Sequence, residues 1–172
     1  MNIPNSITLS RIFLVIPLIY LLYQPSIEFQ WLAFGIFIIA SLTDWLDGYL
    51  ARKLNQITEL GKFLDPLTDK ILVITPLLIL IERQVIPAWG VLIILVREIA
   101  IAGWRVNPQL SKKEGISGAN IWGKLKTVVQ IVAIALLIIP LVGMWQTVGI
   151  ICFWVSVVLT IISGLIYIIE ST

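Results

Sequence analysis

Histidine is absent from this chain, cysteine occurs once, and only 13% of the residues carry a charge. The absence of histidine excludes histidine-dependent catalytic triads and histidine-ligated metal sites, so carboxylates remain as the plausible acid-base groups and hard-metal ligands. The single Cys152 excludes a disulfide framework within one chain and lies in an apolar run, where we expect it to pack. The net charge of +2 is too small to indicate a nucleic-acid partner.

Apolar residues make up 59% of the 172 residues, and the mean hydropathy is +1.00. A soluble globule of this length needs more polar surface, so the composition predicts a polytopic membrane protein with one helical domain, residues 1–172. A helix crosses a bilayer with about 20 residues. Six apolar stretches of suitable length predict an all-α fold of six transmembrane helices: residues 7–23, 31–50, 65–81, 86–104, 125–141 and 145–169.

Lysine and arginine are concentrated in two joins between these stretches. The join after the second stretch contains Arg52, Lys53 and Lys62, and the join after the fourth contains Arg105, Lys112, Lys113 and Lys124. Only Arg83 lies on the opposite side. The positive-inside rule therefore predicts that both basic joins and both termini face the cytoplasm. We also expect kinks or helix ends at Pro17, Pro76 and Pro140.

Four aspartates, Asp44, Asp47, Asp65 and Asp69, lie near the facing ends of the second and third stretches. Carboxylates in or against hydrocarbon are costly and persist mainly where they serve a site. At 100° per residue, Asp44 and Asp47 share one helix face, and Asp65 and Asp69 share another. Two antiparallel neighbouring helices can therefore direct four carboxylates into one space.

Four negative charges in one space require cations. Oxygen ligands favour Mg²⁺, Mn²⁺ or Ca²⁺ over zinc, and two carboxylate pairs can hold two ions. Small residues on the same faces (Gly48, Ala51 and Gly61) leave room for a ligand, and the fork of Arg52 suits a phosphate or a nucleotide. The structural alternative is an interhelical salt network in which the acids are balanced by Arg52, Lys53, Lys62 and Lys70.

The segment from Asp44 to Asp69 resembles the signature of the CDP-alcohol phosphatidyltransferase family, D-x2-D-G-x2-A-R-x8-G-x3-D-x3-D, and meets every fixed position. The resemblance implies a six-helix membrane enzyme, usually a homodimer, that uses two divalent cations, Mg²⁺ or Mn²⁺. It implies that Asp44, Asp47 and Asp65 bind metal and that Asp69 is both a ligand and the general base. Residues implied to line the cytidine diphosphate pocket are Gly48, Ala51, Arg52 and Gly61.

The resemblance also implies the reaction, in which a phosphatidyl group passes from CDP-diacylglycerol to an alcohol. Residues 2–11, 96–99 and 123–130 are similar to segments of family members that use sn-glycerol 3-phosphate, so we predict this acceptor. Within the first segment, Asn5, Thr8 and Arg11 are candidates for contacts to the nucleotide. A simple helix start at the membrane interface is the alternative there.

An acceptor that carries a phosphate needs cations beyond the metal site. The candidates are Arg97, Arg105, Lys124 and Lys126. The structural alternatives are a pairing of Arg97 with Glu98, and lysines that only anchor the cytoplasmic side. Two other functions stay open: the same chemistry with another acceptor, such as inositol phosphate, and a small cation transporter. Transporter sites usually lie near the bilayer centre and often accompany internal repeats. The terminal position of the acids and the lack of a repeat favour the enzyme.

Overall fold

The structure is a computed structural model that describes residues 3–53, 59–106, 121–141 and 143–171. Within these ranges, the side chains of residues 10–43, 67–103, 121–141 and 143–169 are described. The described residues form six helices and no strand: α1 Ile3–Tyr23, α2 Ile27–Lys53, α3 Glu59–Glu82, α4 Ala88–Val106, α5 Ile121–Ile138 and α6 Met144–Ser171. The predicted all-α fold is therefore confirmed over this part of the chain.

The helices extend beyond the apolar stretches that predicted them. Helix α2 continues three residues past the predicted end at 50, and α3 begins at Glu59 rather than at 65. Hydropathy marks only the apolar part of a helix, whereas polar turns at its ends stay helical because their backbone groups still bond within the helix. All four aspartates of the signature lie on helical backbone, as the predicted stretches require.

Two of the three prolines singled out in the sequence lie inside helices. Pro17 is within α1, and Pro76 is fully buried within α3. A proline removes one backbone hydrogen bond, which neighbouring helices allow a membrane helix to tolerate. Pro140 instead follows the end of α5 at Ile138, as expected for a residue that cannot continue a helix.

Short turns join consecutive helices at one end of the bundle. Between α1 and α2, the amide of Gln24 donates to the carbonyl of Leu21 at 3.1 Å, and Ser26 caps α2 by accepting from the amide of Phe29 at 3.4 Å. Between α3 and α4, Gln84 has a positive φ of 58° and its amide donates to Ile81 at 2.8 Å. Such short connections make the helices antiparallel neighbours.

Helices α1 and α3 run parallel, because two residues of α1 contact two residues of α3 in the same order along the chain. Arg11 pairs with Asp69, and near the other end the hydroxyl of Tyr23 donates to Glu82. Arg83 also donates to the carbonyl of Leu22. Helix α2 must then run antiparallel to both of them. The bundle end at which α1 begins, α2 ends and α3 begins is called the carboxylate end below; it comprises residues 44–53 and 59–69 of α2 and α3.

The outer faces of the helices are apolar, as expected for contact with lipid. Large apolar side chains are exposed on every helix with described side chains, for example Ile16, Leu78, Val96, Val128 and Ile161. By length and composition, two helices with described side chains can cross a membrane: α5 over Ile121–Ile138 and α6 over Met144–Ile169. Shorter apolar stretches occur at Ser10–Tyr23 and Ile27–Thr43. These features agree with a membrane protein.

Candidate active site

The four signature aspartates lie on two helices, α2 and α3, that contact each other. Helix α2 carries Asp44 and Asp47, helix α3 carries Asp65 and Asp69, and α1 packs against both helices. At 1.5 Å of rise per residue, the backbones of Asp44 and Asp65 both lie about 25 Å from the end at which α2 begins and α3 ends. The topology thus brings the two halves of the signature to one level of the bundle.

Several predicted site residues have side chains outside the described part of the structure. Among the predicted metal ligands these are Asp44, Asp47 and Asp65, and among the predicted nucleotide-binding residues these are Asn5, Thr8, Gly48, Ala51, Arg52 and Gly61. Their backbones lie on α1, α2 and α3. Arg105, predicted at the acceptor phosphate, has described backbone on α4 and no described side chain.

Asp69 is the signature aspartate whose side chain is described, and it forms an ion pair with Arg11 of α1. The two partners differ in accessibility: the Arg11 side chain is fully buried, whereas 42% of the Asp69 side chain is exposed. Sequence reasoning placed Arg11 in an interfacial segment near the nucleotide and did not foresee this pair. The sequence did contain a signal for the pair: Arg11 is followed directly by an apolar run, and a charged side chain within a membrane requires a partner.

A second charged group lies between α4 and α5. Arg97 donates to the Oε1 oxygen of Glu98 at 2.9 Å, and Lys126 donates to the same oxygen. The Lys126 side chain is 5% exposed, and those of Arg97 and Glu98 are 18% and 22% exposed. Two cations surround one anion, so this buried group, called the Glu98 cluster below, keeps one net positive charge.

Glycines on two neighbouring helices leave space for the Arg97 side chain. A Cβ atom at Gly164 of α6 would lie 3.2 Å from Cγ of Arg97, and one at Gly123 of α5 would lie 3.7 Å from its guanidinium. Arg97 therefore extends from α4 along α6 toward α5. Its path shows why a small residue suits position 164, where a larger side chain would press on the arginine.

The same face of α5 also carries Gln130, one turn beyond Lys126. Gln130 is buried, and its Nε2 atom has no hydrogen-bond partner among the described residues; the same holds for Nε of Arg97. A buried donor normally finds a partner in protein, water or ligand. Sequence reasoning did not assign a role to Gln130, although its i+4 spacing from Lys126 places both residues on one face.

Lys124 differs from Lys126 in its position on α5. The two residues are about 200° apart around the helix axis, and Lys124 is exposed whereas Lys126 is buried. The structure thus brings two of the four predicted acceptor-phosphate residues, Arg97 and Lys126, to Glu98 and leaves Lys124 outside that cluster. The pairing of Arg97 with Glu98, considered as the structural alternative, is present.

The two charged regions are close to each other across α3 and α5, which are in contact. Lys70, the residue after Asp69, lies within electrostatic range of Lys126. The Glu98 cluster therefore belongs to the same half of the bundle as Asp69.

The chemistry of the donor set fits hard divalent cations. Among the described side chains, no three His, Cys, Asp or Glu residues meet in one group. The signature supplies only carboxylate oxygens, which suit Mg²⁺ and Mn²⁺. Among the signature aspartates, Asp69 has a described side chain. It remains 42% exposed beside its ion pair and so can accept a further ligand.

Comparison with known proteins gives the same family as the aspartate signature, and the matches cover nearly the whole chain. The sequence model of the CDP-alcohol phosphatidyltransferase family matches residues 1–162. A CDP-diacylglycerol--glycerol-3-phosphate 3-phosphatidyltransferase of Bacillus subtilis (strain 168) is 42% identical over 178 aligned positions, which cover 95% of this chain and 91% of that protein. A protein of the same name from Wigglesworthia glossinidia brevipalpis is 38% identical and covers 97% of this chain and 93% of its own length.

A third relative with this name, from Haemophilus influenzae, is 36% identical over 96% of this chain and 91% of its own length. The matches therefore include both the aspartate signature on α2 and α3 and the Glu98 cluster on α4 and α5. On the strength of the signature, the helical bundle and these matches, the chain belongs to the CDP-alcohol phosphatidyltransferase family.

Proposed function

We propose that this chain transfers a phosphatidyl group from CDP-diacylglycerol to sn-glycerol 3-phosphate, releasing CMP and forming phosphatidylglycerol phosphate. The observation that carries this function is the likeness to relatives named for this reaction, at 36% to 42% identity over more than nine tenths of both chains. The chain is thus a transferase of phospholipid biosynthesis, of the phosphatidylglycerophosphate synthase type. Family membership favours this enzyme over the cation transporter and over a noncatalytic scaffold.

The aspartate signature is proposed to form the catalytic centre. Asp44, Asp47, Asp65 and Asp69 would hold two divalent cations, Mg²⁺ or Mn²⁺. When bound, such cations neutralise the diphosphate and stabilise the charge on the leaving CMP. The support for this role is the oxygen-only donor set and the common level of α2 and α3 at the carboxylate end.

Asp69 is proposed as the general base. Its carboxylate would take the proton from a hydroxyl of the acceptor, whose oxygen then attacks the phosphorus that bears the diacylglycerol. The new phosphorus–oxygen bond replaces the bond to CMP, and CMP leaves with that bonding electron pair. A carboxylate is a weak base for an alcohol in water, so the placement of Asp69 must supply much of the rate.

The nucleotide is proposed to lie beside the signature helices. Gly48, Ala51 and Gly61 would let its diphosphate approach the backbone, and Arg52 would donate to phosphate oxygens. Asn5 and Thr8 of α1 would contact the cytidine end. The packing of α1 against both α2 and α3 supports this arrangement, because it holds the three helices at one end of the bundle.

The Glu98 cluster is proposed to bind the acceptor phosphate through Arg97 and Lys126, with Arg105 and Lys124 nearer the helix ends. Support comes from the excess of positive over negative charge among the described side chains of the cluster, and from donors of Arg97 and Gln130 that have no partner in the described part of the chain. An acceptor without a phosphate, such as serine or inositol, does not need such a group, whereas a phosphate forms charge-assisted hydrogen bonds with it.

The chain is further proposed to span a bacterial-type cytoplasmic membrane six times, with both termini and the carboxylate end at the cytoplasmic face, and to act as a homodimer. The lysine and arginine distribution supports this orientation. The apolar outer faces and the membrane-crossing length of α5 and α6 support the membrane location.

A purified-protein assay tests the function. The detergent-solubilised chain is supplied with CDP-diacylglycerol and, in separate reactions, sn-glycerol 3-phosphate, inositol phosphate, inositol, serine or choline, and released CMP is measured. We expect rapid CMP release with sn-glycerol 3-phosphate and background release with the others. Preferential use of inositol phosphate would overturn the proposed acceptor while retaining the chemistry. No CMP release with any alcohol, from folded protein supplied with Mg²⁺ or Mn²⁺, would contradict phosphatidyl transfer.

A further inference from the structure

Arg11 is the largest fully buried side chain of the described residues, and it lies outside the signature between Asp44 and Asp69. It reaches from α1 to α3, across 58 residues of sequence, and donates from Nη1 to Oδ1 of Asp69. A buried guanidinium loses its hydration and requires an anionic partner, so the pair is a fixed part of this helix contact.

The two ends of this ion pair differ in a way that matters for chemistry. Arg11 is enclosed by protein, whereas 42% of the Asp69 side chain remains accessible. The contact holds the carboxylate from the interior of the bundle and leaves an accessible part facing outward. Because a buried arginine has few alternative rotamers and a planar donor group, it restricts the orientation of the carboxylate that it binds.

We propose that Arg11 is a positioning residue for Asp69, holding Oδ1 so that the accessible part of the carboxylate faces the acceptor hydroxyl. The proposal rests on the proposed role of Asp69 as the general base. A base that must find a proton within hydrogen-bond reach gains rate from such restraint, since small displacements of reacting groups lower turnover steeply. Arg11 itself touches no reacting atom in this scheme.

A purely structural role for Arg11 is the competing explanation, and the structure offers a matched control for it. At the opposite end of the same helix pair, the hydroxyl of Tyr23 donates to Glu82. Tyr23→Phe removes one contact between α1 and α3 far from Asp69. If Arg11 only ties the two helices together, variants at both positions will lower stability and neither will lower turnover of the folded enzyme.

The test measures kcat, KM for both substrates and thermal unfolding for Arg11→Met, Tyr23→Phe, Asp69→Asn and the double variant Arg11→Met/Asp69→Asn. We expect Arg11→Met to lower kcat at least tenfold while both KM values stay within about twofold of the wild type. Tyr23→Phe should keep the wild-type kcat. The double variant should be no slower than Asp69→Asn, because positioning acts only through the carboxylate.

A wild-type kcat for folded Arg11→Met would overturn the proposal. It would also be overturned if the double variant were slower than Asp69→Asn by the same factor by which Arg11→Met is slower than the wild type. Wild-type turnover of Asp69→Asn would instead overturn the proposed base, which separates the two failures. If Arg11→Met does not fold, the same measurements are made on Arg11→Lys. A lowered kcat with unchanged KM then supports positioning by the planar fork, and a wild-type kcat contradicts it.

Discussion

Lys126 of α5 donates to Oε1 of Glu98 of α4, the same oxygen that accepts a hydrogen bond from Arg97. The contact spans 28 residues of sequence and joins two helices whose connection, residues 107–120, lies outside the described part of the chain. A charge at the depth of Lys126 persists only with a partner. Glu98 therefore links α4 to α5, and its negative charge offsets part of the positive charge in the proposed acceptor site.

Replacing Glu98 with glutamine should destabilise the fold. The change leaves the buried ammonium of Lys126 without a counterion, at a cost of about 2–3 kcal/mol once the partial exposure of Glu98 is considered. The melting temperature in detergent should fall by about 5 °C or more. Lys124→Met is the matched control, because Lys124 is exposed on the same helix, and it should change the melting temperature little. The double variant Glu98→Gln/Lys126→Met should recover much of the loss. Equal melting of Glu98→Gln and the wild type would refute this electrostatic account.

Arg97→Ala should weaken the use of sn-glycerol 3-phosphate more than the binding of CDP-diacylglycerol. Hydrogen bonds to a charged group contribute about 1.5–3 kcal/mol, so KM for the acceptor should rise at least tenfold. KM for the lipid substrate should change less than about twofold. The fold should persist because Lys126 still pairs with Glu98. Arg97→Lys keeps the charge and should give an intermediate KM. An unchanged apparent acceptor affinity in Arg97→Ala would remove this residue from the acceptor site.

Asp69→Asn should abolish transfer while leaving much of the nucleotide binding. General bases contribute about 10²–10⁴-fold to rate, so CMP release should fall by at least a hundredfold. The amide oxygen can still accept a hydrogen bond from Arg11, which limits the structural damage. Calorimetric titration with CDP in the presence of Mg²⁺ provides the binding measurement. Turnover close to the wild-type rate would defeat the assignment of the base.

Removal of divalent cations should stop the reaction. Treatment of the purified chain with EDTA should reduce CMP release to background, and Mg²⁺ or Mn²⁺ in excess of the chelator should restore it. Helical circular dichroism recorded before and after chelation provides the control for unfolding. Activity that persists in thoroughly metal-free buffer would count against the proposed role of the four aspartates.

Substitution of Gly149 in α6 should lower the stability of the protein, because α6 packs closely on α5 at this position. A Cβ at Gly149 would lie 2.8 Å from Cδ2 of Leu137 and 3.3 Å from Cβ of Leu136. Gly149→Ala should therefore cost about 1–3 kcal/mol of stability. Gly35→Ala provides the control, since its added methyl meets no atom within 4 Å and alanine favours a helix. Thermal unfolding should separate the two variants, and equal melting temperatures would disprove close packing at Gly149.

Much of the helical architecture was predictable from hydropathy alone. Each predicted apolar stretch overlaps one helix, because a segment of that length and composition satisfies its backbone within a bilayer only as a helix. The ends were harder to predict, as α3 shows: Glu59 to Phe63 include polar residues that hydropathy assigns to a loop. Helix ends depend on local hydrogen bonding, which an average over residues does not report.

The sequence predicts those features of the candidate site that depend only on the spacing of residues within one segment. The aspartates of α2 and α3 could be located because their separations match a helical face. The Arg11–Asp69 pair and the choice of Lys126 over Lys124 at Glu98 could not, because both depend on how distant helices rotate against one another. Lys124 and Lys126 have the same charge and lie two residues apart on one helix, and only the rotation of α5 in the bundle directs Lys126 toward Glu98.

The parallel contact between α1 and α3 has a consequence for the order of assembly. Arg11 belongs to α1, which is synthesised before α3, and its partner Asp69 follows 58 residues later. Until α3 is present, the ion pair between Arg11 and Asp69 cannot form, because its two residues lie on different helices. The contact of α1 with α3 at this level therefore forms only when both helices are present, as expected where membrane helices associate after insertion.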